Sequence, residues 1–103
     1  MKNIGQLLKQ LQKMQGEMKK VQEDLSRKHV SASAGGGAVS AIANGQRRLI
    51  EIKIKPEVID PDEVEFLEDL LLAAVNGALE AAGEMAASEM KKVTGDIKIP
   101  GIL

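Results

Sequence analysis

Lysine and glutamine side chains crowd the first 28 residues, which carry a net charge of +4. Ammonium groups that neutralise phosphates release condensed counterions, and glutamine amides can donate to phosphate or sugar oxygens. The candidate phosphate contacts in this segment are Lys2, Lys9, Lys13, Lys19, Lys20, Arg27 and Lys28, with Gln6, Gln10, Gln12, Gln15 and Gln22 beside them. The plainer alternative is the solvated face of a coiled coil, where Lys, Gln and Glu are common.

An apolar seam at heptad spacing runs through the same segment. Its members alternate three and four residues apart and are Ile4, Leu7, Leu11, Met14, Met18, Val21 and Leu25, with Leu8 beside them. This spacing predicts a helix over about residues 3–27 with the cations off the seam. At 1.5 Å per residue the helix is roughly 38 Å long. One end should therefore project, and the seam needs a facing helix from this chain or from a second copy.

After residue 28 the apolar period changes to strict alternation, which predicts an antiparallel sheet. The three predicted strands cover about residues 30–34, 38–43 and 46–55. Glycines 35–37 predict a turn with positive φ, and Asn44-Gly45 predicts a type I′ hairpin, in which both central residues have positive φ. Pro56 ends the third strand, since proline cannot donate to the ladder.

The third predicted strand divides its basic residues between two faces. Alternation places Arg48, Ile50, Ile52 and Ile54 on one face and Arg47, Leu49, Glu51, Lys53 and Lys55 on the other. At most part of this basic group can therefore join a single phosphate-binding patch.

A second helix is predicted over about residues 60–94. Asp60 fits the N-cap, Pro61 the first helical position and Glu63 a reciprocal cap. The face predicted to cover the sheet consists of Leu67, Leu70, Leu71, Ala74, Val75, Ala78 and Leu79. Lys91 and Lys92 in the last turn either compensate the helix dipole or extend the basic surface. Residues 95–103 form an apolar tail that we expect to dock on a neighbour.

Charge is distributed very unevenly along the chain. Residues 56–90 contain no Lys or Arg and have a net charge of −10, whereas residues 29–55 carry +3 and residues 91–103 carry +2. The overall charge of −1 therefore hides basic ends and an acidic middle, and the distribution determines the surface field. The acidic residues lack the spacing of a calcium loop and are explained by helix capping and solubility.

Several functional classes are disfavoured by what the sequence lacks. The chain has no cysteine, a single histidine (His29), a single aromatic residue (Phe66) and no nucleophile–base pair, so we expect no catalysis, cofactor, metal or small-molecule substrate. The triple glycine is not followed by Gly-Lys-Ser/Thr, which argues against a phosphate loop. No signal-peptide core and no uninterrupted apolar run of about 20 residues is present, so we expect an intracellular protein without a membrane span.

These elements predict one α+β domain over residues 1–103, with the order α-β-β-β-α and a three-stranded antiparallel sheet. Its parts are a basic heptad helix (1–28), the strands (29–55), the second helix (60–94) and the tail (95–103). One sheet covered by one helix is a marginal core for a chain with a single aromatic ring. We therefore predict a homodimer that shares sheet edges or exchanges helices.

Four segments, in this order, resemble the YbaB/EbfC family of bacterial nucleoid-associated, DNA-binding proteins. They are "LLKQLQKMQGEMKKVQEDL", "GGGAVSAIANGQRRLIEIKI", "DPDEVEFLEDLLLAAVNGAL" and "MKKVTGDIKIPG", and together they cover nearly the whole chain. The combination of "LEDLLLAAVNGA" after an Asn-Gly hairpin and a Gln/Lys/Met-rich first helix is specific.

The resemblance implies an intertwined homodimer whose paired helices project like the arms of tweezers. It also implies binding of double-stranded DNA with modest or no sequence preference in the cytoplasmic nucleoid. In the family, binding is attributed to the terminal helices, which adds Lys91 and Lys92 to the lysines and arginine of the first helix. The chain departs from the family in having no Lys or Arg from Asn76 to Glu89. The alternative is a coiled-coil protein-interaction module that does not bind DNA.

Overall fold

The fold was obtained as a computed structural model, which describes residues 3–94. The elements follow the order α-β-β-β-α, and this prediction is confirmed. Their bounds are α1 (Asn3–Arg27), β1 (His29–Ala34), β2 (Val39–Asn44), β3 (Leu49–Ile54), a single 3₁₀ turn (Pro56–Val58) and α2 (Val64–Thr94). Lys2 and the predicted tail lie outside the described residues.

The three strands form one antiparallel sheet in the order β1-β2-β3. β1 pairs with β2 from His29 opposite Asn44 to Ala34 opposite Val39. The connecting turn contains three glycines with φ values of 64°, 66° and 93°, as the sequence predicted. Both β1 and β3 are edge strands within this protomer, so each presents unpaired backbone groups along one side.

The connection between β2 and β3 differs from the prediction. The residue with positive φ is Arg47, at 62°, and neither Asn44 nor Gly45 has one, so the predicted type I′ turn is wrong. Buried Asn44 closes a longer loop instead, because its Oδ1 accepts hydrogen bonds from the backbone N–H groups of Gln46 (2.9 Å) and Arg48 (3.1 Å). The hairpin loop therefore covers residues 45–48, and its two arginines lie in the loop rather than on β3.

A β-bulge follows this loop. Ala43 pairs with Leu49 and Ile42 pairs with Glu51, so Ile50 is the additional residue on β3. Leu49 consequently joins Ile52 and Ile54 on the face that carries the buried side chains of β2. The predicted alternation placed Leu49 on the opposite face and is wrong, because the bulge shifts the register of β3 by one residue.

Gly45 is required by close packing against the end of α1. Its N–H donates to the backbone oxygens of Leu25 (2.8 Å) and Lys28 (3.1 Å). A Cβ atom at this position would lie 2.6 Å from Leu25 Cδ2 and 2.8 Å from the Leu25 carbonyl oxygen. The Asn-Gly pair thus has two roles that the type I′ turn rule does not describe. The Asn44 side chain accepts hydrogen bonds from the loop backbone, and Gly45 leaves room for the end of α1 to pack closely.

The second helix begins four residues later than predicted. Asp60 to Glu63 form a turn in which the Glu63 N–H donates to the Asp60 carbonyl oxygen at 2.9 Å. Asp60 Oδ1 accepts from the Asp62 N–H at 2.9 Å, so this carboxylate bonds the turn and does not cap α2. The Glu63 carbonyl accepts from Leu67 N–H at the start of α2, which makes Glu63 the N-cap residue.

α2 packs across β1 and β2 through small side chains. The predicted apolar face of α2 is confirmed: its residues belong to, or pack against, the buried cluster of Val39, Ala41, Ala43, Leu70, Ala74, Ala78 and Ala82. β3 is barely covered, although Leu49 and Ile52 lie on the covered face, and Ile52 remains 44% exposed. The face of β3 that carries these side chains is therefore largely open in this chain.

α1 leaves the sheet as a projecting arm. Leu25 is its only buried residue; Met14, Met18 and Val21 are half-buried, and Ile4, Leu7, Leu8 and Leu11 are exposed. The described chain measures 72 × 27 × 16 Å, with a radius of gyration of 20.0 Å. A compact domain of this length has a radius of gyration of about 13 Å. One chain therefore covers only the half of the seam that lies nearer the sheet.

α2 also meets the length and composition expected of a membrane-spanning helix. Residues 64–93 have a mean hydropathy of 1.3 over the most apolar window. Core helices of globular proteins share this length and composition. Glu80 and Glu84 interrupt the apolar residues of α2, so it contains no uninterrupted apolar run of about 20 residues. Ala74, Ala78 and Ala82 are buried against the sheet, and 22% of this window is buried in the chain.

Two glycine-to-alanine substitutions test the packing at the C-terminal end of α1. Gly45→Ala should lower the free energy of unfolding by about 1–3 kcal/mol or more, because the new methyl group overlaps Leu25. Gly16→Ala is the matched control: nothing lies within 4 Å of its Cβ position, and a helical glycine replaced by alanine gains about 1 kcal/mol. Urea unfolding measures both. Equal effects of the two substitutions would contradict the assigned contact.

Candidate functional site

The hairpin loop is bonded to the end of α1. Besides the two bonds from the Gly45 N–H, Asn44 Nδ2 donates to the Ser26 carbonyl oxygen (3.4 Å) and Gln46 Nε2 donates to the Gln22 carbonyl oxygen (3.1 Å). These contacts bring the arginines of the loop next to the cations at the end of α1. Residues that are some 20 positions apart in the chain thereby share one region.

An ionic link joins the end of α1 to α2. Lys28 Nζ lies 2.9 Å from Glu89 Oε1, and Lys92 Nζ lies 3.4 Å from the same oxygen. The hydrogen bond that Lys28 donates, assisted by the charge of Lys92, lowers the pKa of the Glu89 carboxyl below its ordinary value of 4.5. Within residues 3–94 this is the one ion pair that connects two elements, since the remaining pair, Lys53 with Glu51, lies within β3.

The Arg47 side chain extends from the hairpin loop onto the surface of α2. An ideal Cβ on Gly83 would lie 3.6 Å from both Cζ and Nε of Arg47, so the guanidinium rests over the bare backbone of that glycine. The stretch from Asn76 to Glu89, which has no Lys or Arg of its own, therefore receives a cation from the loop. Contact at 3.6 Å is ordinary van der Waals distance and requires no strain.

Six cations belong to the three chain segments that these contacts bring together: the end of α1, the hairpin loop and the end of α2. We call them the junction cluster: Arg27, Lys28, Arg47, Arg48, Lys91 and Lys92. Four of these six were predicted from the sequence as site residues. Arg47 and Arg48 were placed on a strand, where alternation would have divided them, and the signal that could have found them is the Asn44 side chain that closes the loop.

The other predicted cations line the projecting arm. Lys9, Lys13, Lys19 and Lys20 are exposed, and within residues 3–94 none of them has a carboxylate within ion-pairing distance. At 100° per residue, Lys9, Lys13, Lys20 and Arg27 fall within about 40° of one another around α1 and opposite the apolar seam. They define an arm stripe roughly 27 Å long. Lys2 lies outside the described residues.

The seven acidic residues from Glu57 to Asp69 lie at the opposite end of the sheet. Leu70, near the start of α2, lies against Gly35, which follows the last residue of β1, whereas α1 joins the sheet at His29, the first residue of β1. The side chains from Glu57 to Asp69 that carry charge are all exposed. The largest group of anions therefore lies at the end of the sheet opposite the junction cluster, as expected for a surface that attracts a polyanion at one end.

The arrangement suits electrostatic binding of an anionic partner. In the described part of the chain no group of three or more His, Asp or Glu residues is placed to hold a metal ion. The exposed, unpaired lysines on a rigid helix suit contacts to phosphates, which fix position without reading sequence. The surface along the arm is convex, unlike the concave pockets that hold small molecules.

Residues 1–97 match the YbaB/EbfC DNA-binding family. The chain belongs to this family. The sequence resemblance is thereby confirmed, and the family indicates a DNA-binding, nucleoid-associated protein rather than a known enzyme.

Curated members of the YbaB/EbfC family cover almost all of the chain. A nucleoid-associated protein of Thermoanaerobacter pseudethanolicus is 58% identical over 100 residues, which are 97% of this chain and 90% of that protein. A nucleoid-associated protein of Acetivibrio thermocellus is 57% identical over 101 residues, covering 97% and 89%. Among solved structures, the uncharacterized protein HP0035 of Helicobacter pylori superposes with a TM-score of 0.74 at 25% identity, over 82% of this chain and 89% of that one.

The ionic link predicts the titration of one carboxyl group. Glu89 should titrate below 4.5 in the folded protein, and Lys28→Gln should raise its pKa because the strongest donor is lost. Because folding lowers the pKa, the link contributes stability above the unfolded value and loses it as pH falls through the folded value. Carbon-detected NMR of the side-chain carboxyls measures this directly. A Glu89 pKa unaffected by Lys28→Gln would show that the ion pair does not form in solution.

Proposed function

We propose that this protein binds double-stranded DNA as a homodimer, with modest or no sequence preference, through the arm stripe and the junction cluster. The observation that carries the proposal is the arm stripe: its lysines are exposed, without carboxylate partners in the described residues, and aligned opposite the seam. Membership of a DNA-binding family supports the same conclusion. The relatives' names support a place in the cytoplasmic nucleoid, where such a protein would organise the chromosome and modulate transcription.

Contacts of this kind bind DNA by neutralising its backbone. Each lysine that contacts a phosphate releases condensed counterions, so the logarithm of the affinity falls by about 0.9 per contact for each unit of log salt. Reading base edges requires side chains that enter a groove with fixed geometry, such as bidentate Arg or Asn. Lysine ammonium groups on flexible stems supply charge without such geometry, which supports low sequence specificity.

A second copy would cover the apolar surface that one chain leaves open. The accessible surface is 7957 Å², whereas a compact monomer of 11.0 kDa exposes about 5600 Å². The excess lies partly on large exposed side chains in three places: Ile4, Leu7, Leu8 and Leu11 on α1, Leu49, Ile50 and Ile52 on β3, and Leu72 on α2. Large exposed apolar patches usually mark an interface. An intertwined homodimer with paired arms would bury all three.

The same exposed seam supports one alternative function. A coiled-coil protein-interaction module without DNA binding would also leave Leu7 and Leu11 uncovered until a protein partner arrives. The two functions differ in the role of the arm stripe, which is a binding surface in the first and a solvated face in the second. Salt-dependent binding of purified protein to duplex DNA separates them.

Reversing two charges tests the arm stripe. Lys9→Glu with Lys13→Glu should weaken duplex DNA binding at least about tenfold at low salt and reduce the salt slope by about two per protomer. The control is Lys53→Glu with Lys55→Glu on the sheet, which changes net charge equally. Fluorescence anisotropy at several salt concentrations measures affinity, and sedimentation equilibrium verifies the dimer. If the arm variant binds like the control variant, the arm stripe is not the DNA surface.

A carboxylate placed in the seam tests the homodimer. Leu11 is 48% exposed in the protomer, so Leu11→Asp should cost a lone chain little. In a dimer that covers the seam, the variant would bury an unpaired charge and should lose dimer stability by several-fold or more in Kd. Gln12→Asp on the solvated side controls for helix propensity. Sedimentation equilibrium over a concentration series measures both, and a variant as dimeric as the control would exclude Leu11 from the interface.

A further inference from the structure

We propose that Glu89 is an internal competitor for DNA: its carboxylate occupies Lys28 and Lys92, the ammonium groups that a phosphate would otherwise bind, and so limits affinity. This inference rests on the proposed function and identifies a residue that sets its strength. Glu89 does not contact DNA in this proposal. It acts through the two lysines, and its effect has the opposite sign to that of every cation in the junction cluster.

The geometry around Glu89 favours competition. A single oxygen, Oε1, accepts from both lysines, at 2.9 Å and 3.4 Å. The Glu89 side chain is only 21% exposed, whereas Lys28 and Lys92 are 45% and 72% exposed. A phosphate can therefore reach both ammonium groups from solvent while the carboxylate stays behind them. The remaining cations of the junction cluster have no ion pair within residues 3–94, so the competition is specific to these two.

Electrostatics determines the direction of the effect. The three groups together carry +1, whereas the two lysines alone carry +2, and the local potential felt by a phosphate is reduced accordingly. Exposed ion pairs are individually weak and are readily exchanged for another anion. A phosphate that takes Lys28 leaves Glu89 with Lys92 alone, so each new contact is offset by the loss of an existing one. Removing the carboxylate removes that offset.

A purely structural role for Glu89 predicts the reverse. The pair with Lys28 spans 61 residues and ties the end of α1 to α2. If its main effect were to hold the arm in position, neutralising Glu89 would loosen the arm and weaken DNA binding. The two roles therefore differ in the sign of the change in affinity.

The test compares Glu89→Gln with Glu84→Gln in the full-length protein. Glutamine keeps the size of the side chain and its acceptor oxygen and removes the charge. Glu84 is exposed on the same helix and forms no ion pair within residues 3–94, so its substitution reports the general effect of one lost negative charge. Affinity for a duplex of mixed sequence is measured by fluorescence anisotropy across a series of salt concentrations, with thermal melts as a check on folding.

We expect Glu89→Gln to bind DNA more tightly than Glu84→Gln by a further factor of about 2 to 30, the range that two weak pairs allow. Its salt slope should steepen by about one to two per protomer as Lys28 and Lys92 gain phosphates. Lys28→Gln should weaken binding more in the Glu89→Gln background than in the wild type, because only there is the ammonium group unoccupied.

Weaker binding by Glu89→Gln, or affinity and salt slope equal to those of Glu84→Gln, would overturn the inference. Either result leaves the proposed function standing as long as the wild type binds duplex DNA at low salt. Absence of wild-type binding would instead reject the proposed function, and the inference with it.

Discussion

Close contact between alanines holds α2 against the sheet, and the rest of the molecule depends on this contact. Ala74, Ala78 and Ala82 are buried on the helix and face Ala41 and Ala43 on β2. Methyl groups on both surfaces permit a close approach: a Cβ on Gly77 would lie 3.0 Å from the Ala32 Cβ. Each buried methyl contributes only about 0.8 kcal/mol, so the resulting core is tightly packed but thin.

A thin core explains why so much apolar surface remains open. Five of the eight buried apolar residues in the described chain are alanine, so covering β1 and β2 supplies little hydrophobic free energy. Many of the larger aliphatic side chains are exposed instead, on β3, on the outer face of α2 and along the seam of α1. A fold that places its large side chains outside its own core is stable only when another surface covers them. The dimer in our proposal is thus part of the folding free energy and not an accessory to it.

The sequence predicted periodic features well and contacts poorly. Heptad spacing located α1 and its seam, and alternation located three strands, because both follow from the geometry of the backbone. The hairpin and the start of α2 were wrong, since Asn44 and Asp60 each bond a loop through the side chain and local rules assign such residues to turns or caps. The role of Gly45 and the pairing of Glu89 with Lys28 depend on tertiary contacts that no local pattern encodes. The site was accordingly predicted as a set of cations without the carboxylate among them.

Segregation of charge reconciles a chain of net charge −1 with a polyanionic partner. A strand of six residues spans about 20 Å, so the acidic start of α2 lies well beyond one Debye length, about 8 Å at physiological ionic strength, from the junction cluster. The two ends are therefore electrostatically independent in solution. The arm carries Glu17, Glu23 and Asp24 and is still net positive, whereas the larger acidic group at the far end repels DNA and favours an approach to the arm. Glu89 is paired with two cations of the junction cluster, and for that reason its charge should influence DNA affinity more than any of the acidic residues at the distant end.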